Sequence, residues 1–119
     1  MPHLNQHKAQ AIHNETLALT LAGGTYKDWA VTAFFYASYH QARAYLIHRG
    51  INDEPEDHQE VKSLLKRAGV ARKHRKAYNH LLSLSFEVRY KCPDPNSLQK
   101  YLQEAQSIWA NLRRAWHVP

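Results

Sequence analysis

From about Asp28 to Arg49 the chain is apolar almost all the way round a helix, and this segment constrains the possible folds more than any other. Trp29, Val31, Phe34, Phe35, Tyr39, Tyr45, Leu46 and Ile47, with five alanines among them, leave no wide polar face. A helix of that kind is either packed on several sides or sits in a membrane. The membrane reading fails, because His40, Gln41 and Arg43 interrupt the run well short of the roughly 20 apolar residues a bilayer requires. The segment therefore predicts a central helix, covered by neighbours in a bundle or by a second subunit. Gly50 stands where a helix C-terminal glycine belongs.

Helical periodicity continues on both sides. Ala9, Ile12, Thr16 and Leu19 fall at three- and four-residue spacing and predict a first helix ending at Gly23-Gly24. After a loop from Ile51 to Glu56, Val61, Leu64, Leu65 and Ala68 mark a short amphipathic helix stopped by Gly69. Tyr78, Leu81, Leu82, Ser85 and Val88 line a fourth helix that begins near Ala71 and ends before Cys92-Pro93. Asp94 followed by Pro95 is a capping residue with proline at the first helical position. Leu98, Tyr101, Leu102, Ala105, Ile108, Trp109, Leu112 and Trp116 then form the last stripe. The expectation for residues 1–119 is a single all-α domain, an antiparallel bundle of four to five helices joined by short connections. Only four Gly and five Pro argue against an all-β chain, and 44% hydrophobic residues supply a core.

One cysteine, Cys92, excludes an internal disulfide framework and a cysteine-based zinc site. Met1 to Gln10 has no apolar stretch of signal-peptide type, so the expected location is cytoplasmic. The charge is more informative. Sixteen Lys and Arg against ten Asp and Glu give a net charge of +6, which favours polyanionic partners such as RNA or nucleotides. Between Val61 and Cys92 there are nine basic residues and one acid, Glu87, while Asp53, Glu54, Glu56, Asp57 and Glu60 cluster just before them.

Nine histidines raise the question of a metal. His3 and His7 stand four apart with His13 nearby, but a firm site needs a third or fourth ligand, so no metal and no cofactor is expected and the segment reads as a solvated amino-terminal turn. His40 and Arg43 share one side of the apolar segment and need hydrogen-bond partners there. The acids of the Asp53–Asp57 loop read as a solvated turn that favours the next helix's amino end. Arg72-Lys73-His74-Arg75-Lys76 is the strongest basic patch, suited to phosphate in a salt-dependent way, with Tyr78 and Tyr90 near enough to suggest base stacking. No Gly-rich phosphate loop, nucleophile elbow or paired-carboxylate constellation is present.

The block from Asp28 to Leu46, DWAVTAFFYASYHQARAYL, resembles the long second helix of HEPN domains, helical domains of prokaryotic toxin–antitoxin and defence systems that also occur beside nucleotidyltransferases. The resemblance continues through Gly50, through His58 in Asp57-His58-Gln59-Glu60-Val61, and through Tyr78 to Tyr90, and covers roughly residues 7 to 112. It implies a dimerising bundle of helices. Many members cleave RNA without a metal, with roughly four to six residues between an Arg and the His that follows it: the cation stabilises the scissile phosphate and the imidazole moves protons near neutral pH.

Arg43 to His48, Arg67 to His74 and Arg75 to His80 fit that spacing, which eight arginines and nine histidines also generate by chance. Active members usually place Asn, Asp or His directly after the Arg, whereas Ala44, Ala68 and Lys76 follow here. Arg75 and His80 are the best-placed catalytic pair, although five residues of helix turn them about 140° apart. The expected function is a non-catalytic RNA- or nucleotide-binding module of a prokaryotic defence, toxin–antitoxin or mobile-element system, with phosphate contacts from Arg72, Lys73, Arg75, Lys76 and Arg89. His40, Arg43, His58 and Tyr90 are expected to form a polar pocket. The alternatives are a metal-independent ribonuclease using Arg75 and His80, and a structural partner of a separately encoded enzyme. A homodimer through the second and a neighbouring helix is expected in each case.

Overall fold

A computed structural model describes residues 3–119. Five helices follow in order: α1 (Leu4–Ala22), α2 (Lys27–His48), α3 (His58–Arg67), α4 (Arg72–Tyr90) and α5 (Pro95–Ala115). No strand occurs among the described residues. The expectation of a leaderless start covers Met1 and Pro2, which lie outside them.

The apolar second segment is the axis of an all-α bundle. Helix α2 packs against α1, α3, α4 and α5, and Ala30, Val31, Phe34, Phe35, Ala37, Ala42 and Leu46 are all buried along it. Four helices of the same chain thus cover the surface that made a second subunit an option, so a dimer does not follow from α2. Phe35 contacts Tyr78 of α4 at 5.7 Å between ring centroids, and Tyr78 contacts Trp116 beyond α5 at 6.0 Å, linking three elements through one aromatic core. The Tyr78 hydroxyl is buried there without a hydrogen-bond partner, and burial pushes its pKa far up.

Helix ends follow local chemistry. The Asp57 carboxylate accepts from the Glu60 N–H at 2.8 Å, and Asp94 accepts from the Ser97 N–H at 2.9 Å with Pro95 in the first turn. Gly50 takes φ +85°, and the Ile51 N–H reaches back to the Leu46 carbonyl at 2.9 Å, the six-to-one bond of a Schellman ending. Gly69 repeats this after α3 with φ +81° and a bond from the Val70 N–H to the Leu65 carbonyl.

Helix α1 ends at Gly23 as its spacing predicts, and its periodic residues lie on the outside. Ala9, Ile12, Thr16 and Leu19 form its outer face, with Ile12 63% and Leu19 53% exposed. The buried positions are His7, Ala11 and Ala18. Small side chains let α1 lie close along α2, so the packing face is selected by size, and the larger aliphatic residues are left outside.

Candidate functional site

The start of α4 gathers positive charge. Ala71, its N-cap, has no side-chain oxygen to cap the first N–H groups, and its first turn holds no acid. Arg72, Lys73, His74, Arg75 and Lys76 occupy this end, where the helix already presents partial positive charge. Antiparallel packing brings the end of α5 alongside. Lys73, His74 and Ala77 of α4 and Asn111, Arg114 and Ala115 of α5 line one open groove of about 570 Å³. Burial and the charge of Lys73 lower the pKa of His74. Among the described residues no carboxylate lies within ion-pair distance of Arg72, Lys73, Lys76 or Arg114, whereas Arg67 holds Asp53 at 2.6 Å and Arg113 holds Glu15 at 2.9 Å.

The expected phosphate ligands do not form one cluster. Arg72, Lys73 and Lys76 share the start of α4, and Arg75 turns aside, its Nε donating to the Val70 carbonyl at 3.2 Å. Arg89 sits at the far end, about 20 Å along the axis from Arg75. Its guanidinium is tied to the Ser85 carbonyl at 3.0 Å and lies 5.3 Å from the Tyr90 ring centroid. Arg114 belongs to the basic end and was missed. An antiparallel α4–α5 pair made this legible in principle, since it places the end of one helix beside the start of the other.

Arg75 and His80 are not brought together. His80 faces α5, where its Nε2 stands 3.6 Å from a Glu104 carboxylate oxygen, while Arg75 faces the α3–α4 turn. Arg43 to His48 is no better placed. Arg43 is buried, donating to the Tyr39 hydroxyl at 3.0 Å and to Glu54 at 3.1 Å, and His48 is exposed at the end of α2. Arg67 is committed to Asp53, and the acids of the Asp53–Asp57 loop are exposed as expected, with Asp57 capping α3 while Asp53 and Glu54 pair with Arg67 and Arg43.

The four residues of the expected polar pocket divide between two places. His40 meets His7 of α1, the two Nδ1 atoms 2.9 Å apart, so one ring donates and the other accepts. His7 is thus buried in the core of the α1–α2 contact instead of lying on a solvated turn. Burial, then the neighbouring His7 and Arg43, push the His40 pKa down to about 4, and burial lowers that of His7. Tyr39 stands edge-on to both His40, at 5.1 Å, and His58, at 5.2 Å, connecting the two places through aromatic contacts.

His58 and Tyr90 line a different groove, of about 580 Å³, between the start of α3 and the second half of α4. Asn79, Ser83, Phe86, Glu87 and Arg89 complete much of its wall. The His58 Nδ1 is buried without a partner, and burial, then Arg89, lowers the pKa of its ring, which leaves it neutral at pH 7. Phe86 and Tyr90 are 49% and 62% exposed, with ring centroids 4.9 Å apart. No group of three or more potential metal ligands comes together among the described residues, and none of their helices is long and apolar enough to cross a membrane. A scan against protein-family models finds no match to this chain, and a search of curated proteins finds none either.

Proposed function

We propose that this chain is a HEPN-like module that binds RNA or nucleotide phosphate without cleaving it, and that it works in a prokaryotic defence, toxin–antitoxin or mobile-element setting. The observation that carries the binding reading is the convergence of Lys73 and His74 from α4 with Arg114 from α5 on one groove, beside Arg72 and Lys76 and without compensating acid. Such a surface attracts phosphate through released counterions, so affinity falls steeply as salt rises. The setting rests on the resemblance of the Asp28–Leu46 block and of the Tyr78–Tyr90 stretch. The separation of Arg75 from His80 favours binding over cleavage.

The same reading includes a homodimer, now through α1 and the start of α2. Ile12 and Leu19 share one flank of α1 and are left exposed, as are Tyr26 and Trp29 where α2 begins. A second copy covering them would bury surface that a stable monomer normally keeps inside.

The binding reading is tested by titrating labelled RNA in EDTA across a range of salt with wild type and with Lys73→Glu/Lys76→Glu/Arg114→Glu. The wild type is expected to retard intact RNA, and the variant to lose about three units of the salt slope, one per phosphate contact. Equal affinity of the two proteins would reject the groove, and EDTA-resistant cleavage lost in His80→Ala would replace binding by nuclease activity. Light scattering at micromolar concentration tests the dimer, and a monomer there would reject it.

A further inference from the structure

We infer that the solvent face of α4 is a track for single-stranded RNA, with phosphates on Arg72, Lys76 and Lys62 and a base stacked on the Phe86–Tyr90 pair. The inference rests on the RNA-binding reading and adds to it the form of the RNA and the place where a base is held. Arg72, Lys76, Asn79, Ser83, Phe86 and Tyr90 alternate four- and three-residue steps, so they share one helix face, and all six are exposed. The face is graded. Cations stand at its start and aromatic rings at its end, about 27 Å away along the axis. The Asn79 side-chain oxygen accepts from the Lys62 ammonium at 2.9 Å, which holds a third cation from α3 beside the middle of the row. No acid lies on the row itself.

The aromatic end has the chemistry of a base site. A helix face that no other element covers rarely carries two large rings without a partner for them. Here Phe86 and Tyr90 are tilted 55° to each other, and Arg89 lies against Tyr90. The groove beside them, about 580 Å³, is open to solvent and large enough to seat a base against the rings. Gln59, Asn79, Ser83 and the neutral imidazole of His58 supply donors and acceptors on its walls, suited to the edges of an unpaired base. The buried Nδ1 of His58 still lacks a partner.

Asp57 and Glu87 border the same groove and disfavour a phosphate there. The phosphates therefore belong at the basic end and the base at the aromatic end. Bases inside a duplex are stacked on each other and cannot reach side-chain rings, which selects a single strand.

The test compares three probes by fluorescence anisotropy: a single-stranded oligoribonucleotide of about ten residues, an abasic strand of the same length, and a duplex. Wild type is expected to bind the single strand roughly tenfold or more tighter than the abasic strand. Phe86→Ala/Tyr90→Ala is expected to erase that preference while keeping the salt slope and the thermal unfolding midpoint. Equal wild-type affinity for single and abasic strands overturns the track while leaving the basic groove standing, and assigns the aromatic pair to a protein contact. Wild type that retains no probe at low salt overturns the track and the RNA reading together. Retention of the base preference in the double variant overturns the stacking site.

Discussion

Helix α4 begins against its own electrostatics, and correcting that should make the protein more stable and a poorer phosphate binder at once. Ala71 provides no cap, and Lys73 occupies the second helical position with its charge close to unpaired N–H groups. In Ala71→Asp/Lys73→Glu the new carboxylate at position 71 accepts from the first turn, worth about 1 kcal/mol. Removing the cation at position 73 and adding an anion contributes about 0.3–1 kcal/mol for each of the two changes. The sum is about 2 kcal/mol at low ionic strength. For a domain of this length, that is roughly an 8 °C rise in Tm. Circular dichroism melts at low and high salt measure it, and the part due to charge should shrink as salt screens it. In parallel, the salt slope for RNA should flatten by about one to two units as one cation disappears and two anions appear beside the groove. A melting temperature that stays level or falls at low salt would refute the view that this helix start carries uncompensated charge.

Two further outcomes follow from buried groups. Tyr78→Phe removes a hydroxyl that is buried without a partner, so stability should be level or rise by about 1 kcal/mol; a loss of that size in urea unfolding would mean the hydroxyl is satisfied. His40 has a pKa lowered from 6.5 to about 4, so between those values the unfolded chain binds a proton that the folded chain refuses. Stability is therefore fully present above pH 6.5 and lost as pH falls toward 4. The ring is only partly shielded from solvent, which limits the loss to about 1–2 kcal/mol. His7→Leu/His40→Leu should flatten this acid limb, and an unchanged limb would assign the sensitivity to other groups.

How much could be read in advance depended on what each helix buries. Helix α2 was legible because contact from four sides leaves almost no polar face, and residues such as Phe34, Phe35 and Leu46 declare it. The ends of α2, α3 and α5 were legible because Gly50, Gly69 and Asp94-Pro95 act locally. Helix α1 and its end at Gly23 were legible from the spacing, but its packing face was not, because that face is Ala11, Ala18 and a histidine, while Ile12 and Leu19 imitate a core stripe on the outside. The His7–His40 contact has no local signal at all, since nothing near either residue specifies the other. Among the basic residues the run Arg72–Lys76 was plain, but Arg89 was grouped with it by sequence proximity although the length of α4 separates them.

The placement of the acids leaves part of the net charge of +6 gathered at one end of the bundle. Asp53, Glu54, Glu15 and Glu104 each stand beside Arg67, Arg43, Arg113 or His80. Asp57 and Asp94 accept from N–H groups at the starts of α3 and α5, and Glu60 accepts from the Glu56 N–H. Seven of the ten acids are thereby committed away from the start of α4. The interior histidines His7 and His40 add no charge, because burial keeps them neutral at pH 7. Arg72, Lys73, Lys76 and Arg114 are among the cations left without a carboxylate partner, and they stand together on a helix start that its own dipole already disfavours for cations. A sequence under selection for stability alone would place an acid or a cap there, as it does in α3 and α5. The absence of both at α4, beside this concentration of cations, makes that end of the bundle the place to test the proposed phosphate binding.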